Sequence, residues 1–385
     1  MKFYVGTYTH LGGPGVVACE LEDETLRLVA KADTDLTDPI YIILTKDQKT
    51  ILVTTATPSD GEAGESLATF DVSGDVPKLT SIHSTAGLSS CHVTLSPDER
   101  FAYVASYSSG SLSVFPFENG VVGKRIQDIR HEGHSVNPQR QEMAHAHFVA
   151  FNPDDGRLYC CDLGLDAVMI YEQDAKTGLL TLYDRVSVPE GMGPRHLAFR
   201  ENMMYVANEL GGAVSVFRRR DTFTGQTWEY VETVSTLPDG AGSEGAVAAI
   251  RLDESRLFVS NRENDSISEF SYMPGGALRL ERTFSVFGSF PRDFYLLPGR
   301  QILVANQNSG DVRLLGLDPI ELPPDEVENK SVLGGPFSGL FDLKNTQQWL
   351  KPILGERPDL GVQGGVYQIG EELSIPGAVC VCPVL

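Results

Sequence analysis

The chain has 385 residues, 52 acidic against 31 basic, with a formal net charge of −21 at pH 7 and 41% hydrophobic residues. That hydrophobic share supplies a real core and excludes a disordered chain. The anionic excess argues against a nucleic-acid partner, which needs a basic surface, and against docking on anionic lipid.

The N-terminus, MKFYVGTYTHLGGPG, carries a short apolar run before glycine-rich sequence. It reads neither as a secretory leader nor as a transit peptide. No window reaches the ~18–20 apolar residues of a membrane span, so the expectation is a cytoplasmic, soluble protein. From there one pattern recurs: FYVGTY (3–8), ILVTTA (51–56), FAYVASY (101–107), LYCCDL (158–163), MYVANEL (204–210), LFVSNRE (257–263) and ILVANQN (302–308). Anchored on Tyr4, Leu52, Tyr103, Tyr159, Tyr205, Phe258 and Leu303, the copies are 48, 51, 56, 46, 53 and 45 residues apart. Strand-like runs such as LSVFPF, AVMIYE and SISEFSY follow them after short turns. This period predicts an all-β, seven-bladed β-propeller with four-stranded antiparallel blades. Only 341–354 shows helical periodicity, and Pro352 limits it. The chain reads as one domain, 1–385, with an insertion at about 319–365 in the last blade and GGVYQIGEEL (364–373) as that blade's outer strand. The first copy lacks an inner strand before it, whereas PGAVCVCPVL at the end resembles one. The C-terminal strand is therefore expected to close the ring and remove its open edges.

The six cysteines, Cys19, Cys91, Cys160, Cys161, Cys380 and Cys382, lie mostly in apolar runs without a CxxC spacing. They read as free, buried thiols. GGPG (12–15) lacks the lysine and helix of a phosphate loop, and GAGSEG (240–245) lacks the strand of a nucleophile elbow.

In a propeller the inner strand of each blade lines the channel, and its start lies beside the end of the antiparallel second strand. Aligning the starts gives Gly377, Ile40, Cys91, His147, Arg195, Ala248 and Arg292. Aligning the ends gives Tyr8, Ala56, Tyr107, Leu163, Glu209, Arg262 and Gln307, preceded by a polar column of Thr7, Thr55, Ser106, Asp162, Asn208, Asn261 and Asn306. One mouth therefore collects His147, Arg195, Glu209, Arg262, Arg292 and Gln307, all from blades four to seven. Guanidinium forks bind carboxylate or phosphate, and His with Glu can supply acid–base chemistry. An ordinary Arg195–Glu209 ion pair within blade five is the simpler reading of those two residues. His131, His134, His145 and His147 have HxxH and HxH spacings that suit a metal, but alternation alone puts His145 and His147 on one side of a strand. With Asp162 as the one acid nearby, they read as loop and channel histidines, and neither metal nor cofactor is expected.

At these residues the sequence resembles the lactonase-type seven-bladed propellers, which include bacterial 6-phosphogluconolactonases and are similar to fungal carboxy-cis,cis-muconate cyclase. NPQRQEMAHAHFVAFNPDDGRLYCCDLGLDAVMIY (137–171) carries the resemblance, supported by stretches at 193–217, 256–270 and 290–312. It implies catalytic roles for His147, Arg195, Glu209 and Arg262. Arg140, Gln141, Arg292 and Gln307 also fall on family motifs around the channel, and with His145 and Asp162 complete the expected substrate-binding set. QEMAHAH stands where a Gly-Pro pair is usual. The expected function is hydrolysis of a small sugar-acid lactone, with 6-phosphogluconolactone as the leading candidate, by a monomer or weak homo-oligomer whose partner is that anionic substrate. A muconate-cyclase-like lactonising isomerase and a non-catalytic binding platform are the alternatives. A panel of lactones and diene acids separates the first, and a large exposed patch would mark the second.

Overall fold

The computed structural model describes residues 1–222, 225–238, 246–318 and 365–384. Its strands form seven antiparallel sheets, one for each predicted blade. In blade one the order is Ala378–Pro383, Lys2–Thr7, Val17–Glu22, Thr25–Lys31, so the C-terminal strand is the innermost and fastens the ring. Val366–Ser374 pairs with Asp311–Leu317 as the outer strand of blade seven. Blade three departs from the four-strand pattern. Its outer edge is split, Gln127–Arg130 pairing with the first half of Ser111–Glu118 and Val121–Val122 with its end. The expected insertion, its helical stretch at 341–354 and the 240–245 turn lie outside the described residues, Gly365 excepted.

The blades are held by the faces of their middle strands. All seven anchor residues, from Tyr4 to Leu303, are at most 2% exposed. Large rings there fill the space between adjacent twisted sheets, and their polar tips find partners, as buried hydroxyls must. The Tyr103 hydroxyl donates to the Gly178 carbonyl at 3.0 Å and that of Tyr205 to Gly276 at 3.0 Å, each hooking onto the outer turn of the following blade. Both glycines have positive φ (76° and 84°), and a Cβ would stand 2.3 Å from the Phe101 ring or 2.5 Å from Met203, so the hook needs glycine.

The inner strands share a feature that decides which side chains see the channel. In blades three, four, five and seven the register between first and second strand skips one residue: Cys91, His147, Arg195 and Arg292 respectively. These are β-bulges, which re-aim a side chain. Ser89, Gly193 and Phe290, just ahead of the bulged strands, have φ of 56°, 63° and 65°. A phenylalanine there is strained. In blade one the skipped residue is Val379, not Gly377, because Ala378 pairs with Thr7 and Cys380 with Gly6. The sequence alignment placed that blade's channel residue two positions early.

Candidate functional site

The bulges raise His147, Arg195 and Arg292 at the starts of inner strands, and the second strands deliver Glu209 and Arg262 beside them. A cavity of about 240 Å³ opens at this mouth, lined by Tyr8, Ile40, Ser89, Cys91, Tyr107, Arg140, His147, Glu209, Arg262 and Arg292.

Glu209 is the sole carboxylate of that lining and is only 5% exposed. Its Oε1 accepts from Arg140 Nη2 at 2.6 Å, while Oε2 lies 2.9 Å from Arg262 Nη2 and 3.0 Å from Arg195 Nε. Burial pulls its pKa up, but the charges of Arg262 and Arg195 and the hydrogen bond from Arg140 overcome this and hold the carboxyl well below the usual range. It is a permanent anion at neutral pH. Arg140 responds in the opposite sense: burial pulls it down, and Glu209 and Tyr107 carry it above the ordinary arginine value. Burial, followed by the charge of Arg262, pushes Arg195 down to about 9, still protonated at pH 7. Arg262 is also lowered by burial, and its Nε donates to the Ala246 carbonyl at 3.0 Å with its guanidinium 5.2 Å from the strained Phe290 ring. Arg292 differs. Its Nη1 donates to Gln307 Oε1 at 3.4 Å and its guanidinium stands 5.5 Å from the Tyr8 ring, yet among the described residues no carboxylate pairs with it.

His147 is 6% exposed, and its Nδ1 is buried without a hydrogen-bond partner. Burial and the neighbouring Arg195 hold it well below the ordinary histidine pKa, so it is neutral at pH 7 with a lone pair available. The arrangement sets an uncommitted neutral base beside a fixed anion and several cations, one of them unpaired. That combination can seat an anion, polarise a carbonyl and accept a proton.

Of the sequence-predicted residues, His147, Glu209, Arg262, Arg140 and Arg292 meet in the cavity wall. Arg195 does not reach it; at 2% exposed, it stands behind Glu209. Gln307 stands behind Arg292. Three expected substrate contacts are committed elsewhere. The Asp162 carboxylate lies 2.5 Å from His131 Nδ1 and accepts from the backbone of His145 and Leu165, while His131 Nε2 lies 2.6 Å from the Tyr171 hydroxyl. Pleat direction accounts for the position of Asp162: it is one residue before the column that faces the mouth, so it points into the blade. Asn208, Asn261 and Asn306 do the same, bonding Ser215, Ser268 and Asp311. His145 stacks on Tyr107, with centroids 4.4 Å apart and planes 10° from parallel. Gln141 is fully buried and binds the Leu163 carbonyl at 2.9 Å, tying down the loop that carries Arg140. Tyr8, Tyr107 and Ser89 line the cavity although the sequence reading gave them no role. Tyr8 and Tyr107 were already in the second-strand column, so their position was the available signal. Among the described residues no group of three or more His, Cys, Asp or Glu is disposed to hold a metal ion.

Comparison with known proteins gives this geometry a context. The family model described as Lactonase, 7-bladed beta-propeller matches residues 2–340. The 6-phosphogluconolactonase of Bacillus subtilis is 33% identical over 325 residues, covering 82% of this chain and 90% of its own. Among solved structures, the periplasmic gluconolactonase of Pseudomonas aeruginosa has a TM-score of 0.78 at 25% identity, covering 99% of this chain and 98% of the other. A Lactobacillus plantarum protein has the same fold at a TM-score of 0.78 and 24% identity, with 99% and 98% covered.

Proposed function

The chain belongs to the lactonase family of seven-bladed β-propellers, and from that premise we propose that it hydrolyses a small anionic sugar-acid lactone, 6-phosphogluconolactone being the leading candidate. The observation that carries the reading is the charge at one mouth. Three guanidinium groups, Arg140, Arg195 and Arg262, meet a single carboxylate and a fourth, Arg292, lines the same cavity, in a protein whose net charge is −21. Surplus buried charge is costly, and an anionic substrate offsets it.

In this mechanism Arg292, free of a carboxylate, takes the substrate's phosphate. Arg140 and Arg262 face the lactone carbonyl and stabilise the oxyanion that forms when water adds, the term that dominates most acyl-transfer barriers. Neutral His147 removes the proton from that water and returns it to the ring oxygen as the C–O bond breaks, leaving a hydroxyl and a carboxylic acid that ionises. Glu209 is a poor base because its arginines hold it deprotonated; it fixes those arginines and stabilises the imidazolium. Tyr107 and Tyr8 shape the cavity walls. The six free cysteines suit a reducing compartment, and we assign the protein to the cytoplasm. Among the described residues no helix is long and apolar enough to cross a membrane.

The test is a pH-stat panel of 6-phosphogluconolactone, gluconolactone and a carboxymuconate. Acid release from the phosphorylated lactone, insensitive to exhaustive EDTA, is the expected result. Interconversion of the diene acid with its lactone identifies a cyclase instead, and no turnover of any of the three rejects the catalytic reading.

A further inference from the structure

Arg195 is held from behind by its neighbour in sequence. Its Nη1 lies 3.0 Å from Nε2 of His196. A guanidinium has only N–H donors and keeps its proton in proteins, so Nε2 is the acceptor and the ring proton of His196 sits on Nδ1. The ring is 3% exposed and wedged against His147 at 5.4 Å, His92 at 5.7 Å and Phe148 at 4.8 Å between centroids. On its other side Arg195 Nε stands 3.0 Å from Glu209 Oε2. Arg195 thus lies between His196, within hydrogen-bond distance on one side, and the Glu209 carboxylate, at ion-pair distance on the other.

The register shows that packing alone does not call for this nitrogen. His196 pairs with Ala207 just after the bulge, and the equivalent places in blades two and four, opposite Thr54 and Cys161, hold Tyr41 and Phe148. Those two blades fill the layer with a ring that is not an imidazole, and blades one and seven hold Cys380 and Asp293 there. Blade five sets a ring with an acceptor nitrogen directly against a buried arginine. Resting on the lactonase reading, we propose that His196 is a positioning residue: as the Nδ1–H tautomer it fixes the Arg195 guanidinium, and through it Glu209, relative to His147. Without that acceptor, Arg195 is free to turn away from the other cations around Glu209, and the carboxylate loses one of its fixed neighbours.

Three variants separate the nitrogen from the volume. His196→Gln carries an acceptor out to the place of Nε2, His196→Asn is too short to reach it, and His196→Phe keeps the ring alone. For the phosphorylated lactone, His196→Gln is expected to stay within about threefold of wild-type kcat. The Asn and Phe variants should lose roughly 10- to 100-fold, the scale of a small misplacement of catalytic groups, with KM changed by less than about threefold. In an Arg195→Gln background His196→Phe should add no further loss, because both changes break one contact. Nitrogen-15 spectra of the wild type should show His196 protonated at Nδ1 and not at Nε2. Wild-type kcat in His196→Phe, equal losses for Gln and Phe, multiplying losses in the double variant, or a proton on Nε2 would each overturn the proposal. A wild-type protein inert on every lactone defeats the functional reading instead, and the nitrogen-15 spectra then still decide whether His196 accepts from Arg195.

Discussion

At one mouth of the channel Arg140, Arg262, Arg292 and Glu209 line a cavity of about 240 Å³. At the other, a cavity of about 310 Å³ is lined by Tyr41, Tyr295, Cys380, Cys382, Arg251 and Asp293 among others. The second is larger and carries less unbalanced charge. Arg251 Nη2 donates to Asp293 Oδ1 at 2.7 Å, one cation to one anion, and Lys46 at the rim donates to the Pro97 carbonyl. Volume at either end follows from how the inner strands splay. Unbalanced charge does not follow from the architecture; it has to be placed there residue by residue against a cost in stability. Surplus charge, not volume, is what distinguishes the two mouths.

The comparison can be broken most decisively at His147. His147→Gln should lower kcat by roughly 10²–10⁴-fold, the range for a lost general base, with thermal unfolding little changed, whereas Tyr295→Phe at the opposite mouth should leave turnover within about twofold. Steady-state kinetics on both variants decides it, and equal losses would erase the distinction between the mouths. The two carboxylates come next. Glu209→Gln leaves the buried Arg195 and Arg262 without their counter-charge and should cost about 3–5 kcal/mol in urea unfolding; Asp293→Asn strips only the part-exposed Arg251 and should cost less, and only the first should also depress kcat in the fraction that remains folded.

Arg292 gives a smaller and more selective effect. Arg292→Gln should raise KM for the phosphorylated lactone by roughly 10- to 100-fold, the worth of a hydrogen bond to a charged group, and should alter KM for gluconolactone far less. A uniform rise for both substrates would place the phosphate elsewhere. The layer between the mouths supplies the smallest effect per residue. Burial holds His92, His147 and His196 well below their ordinary pKa, aided by Arg251 at His92 and by Arg195 at the other two. The unfolded chain therefore binds protons that the folded chain refuses, and stability present above the unfolded value of about 6.5 is lost as pH falls below it. At pH 5.5 each histidine should cost about 1.4 kcal/mol. His92→Phe should recover one such share, read as the difference in urea midpoint between pH 7.5 and 5.5.

Much of this arrangement was legible in the sequence because strand period and blade period are strong signals. Seven apolar second strands set the blade count, and the unpaired FYVGTY at the start called for the strand that PGAVCVCPVL supplies. The mouth could be read because equivalent ends of antiparallel strands coincide in space. What escaped were effects of one residue. A bulge shifts parity, so aligning blade one by its glycine selected Gly377 where Val379 is the bulged residue. Asp162 sits one position from the mouth-facing column, and its side chain therefore meets His131 inside the blade. Depth was equally hidden: Arg195 and Arg262 occupy neighbouring columns, yet one is covered by Glu209 and the other forms cavity wall. His196 carried no signal of its own, since its role depends on which residue precedes it in the bulge.

The closure of blade one has a consequence during synthesis. Lys2–Thr7 leaves the ribosome long before Ala378–Pro383, the strand that pairs with it from the far end of the ring. At about 5–20 residues per second, the first strand waits on the order of tens of seconds for its partner. Throughout that interval the nascent ring shows a bare backbone edge and the uncovered side chains of Phe3 and Val5. On a crowded polysome the same strand of a neighbouring copy is a competitor for that edge, so closure within one chain depends on the chain's own strand arriving before a neighbour's.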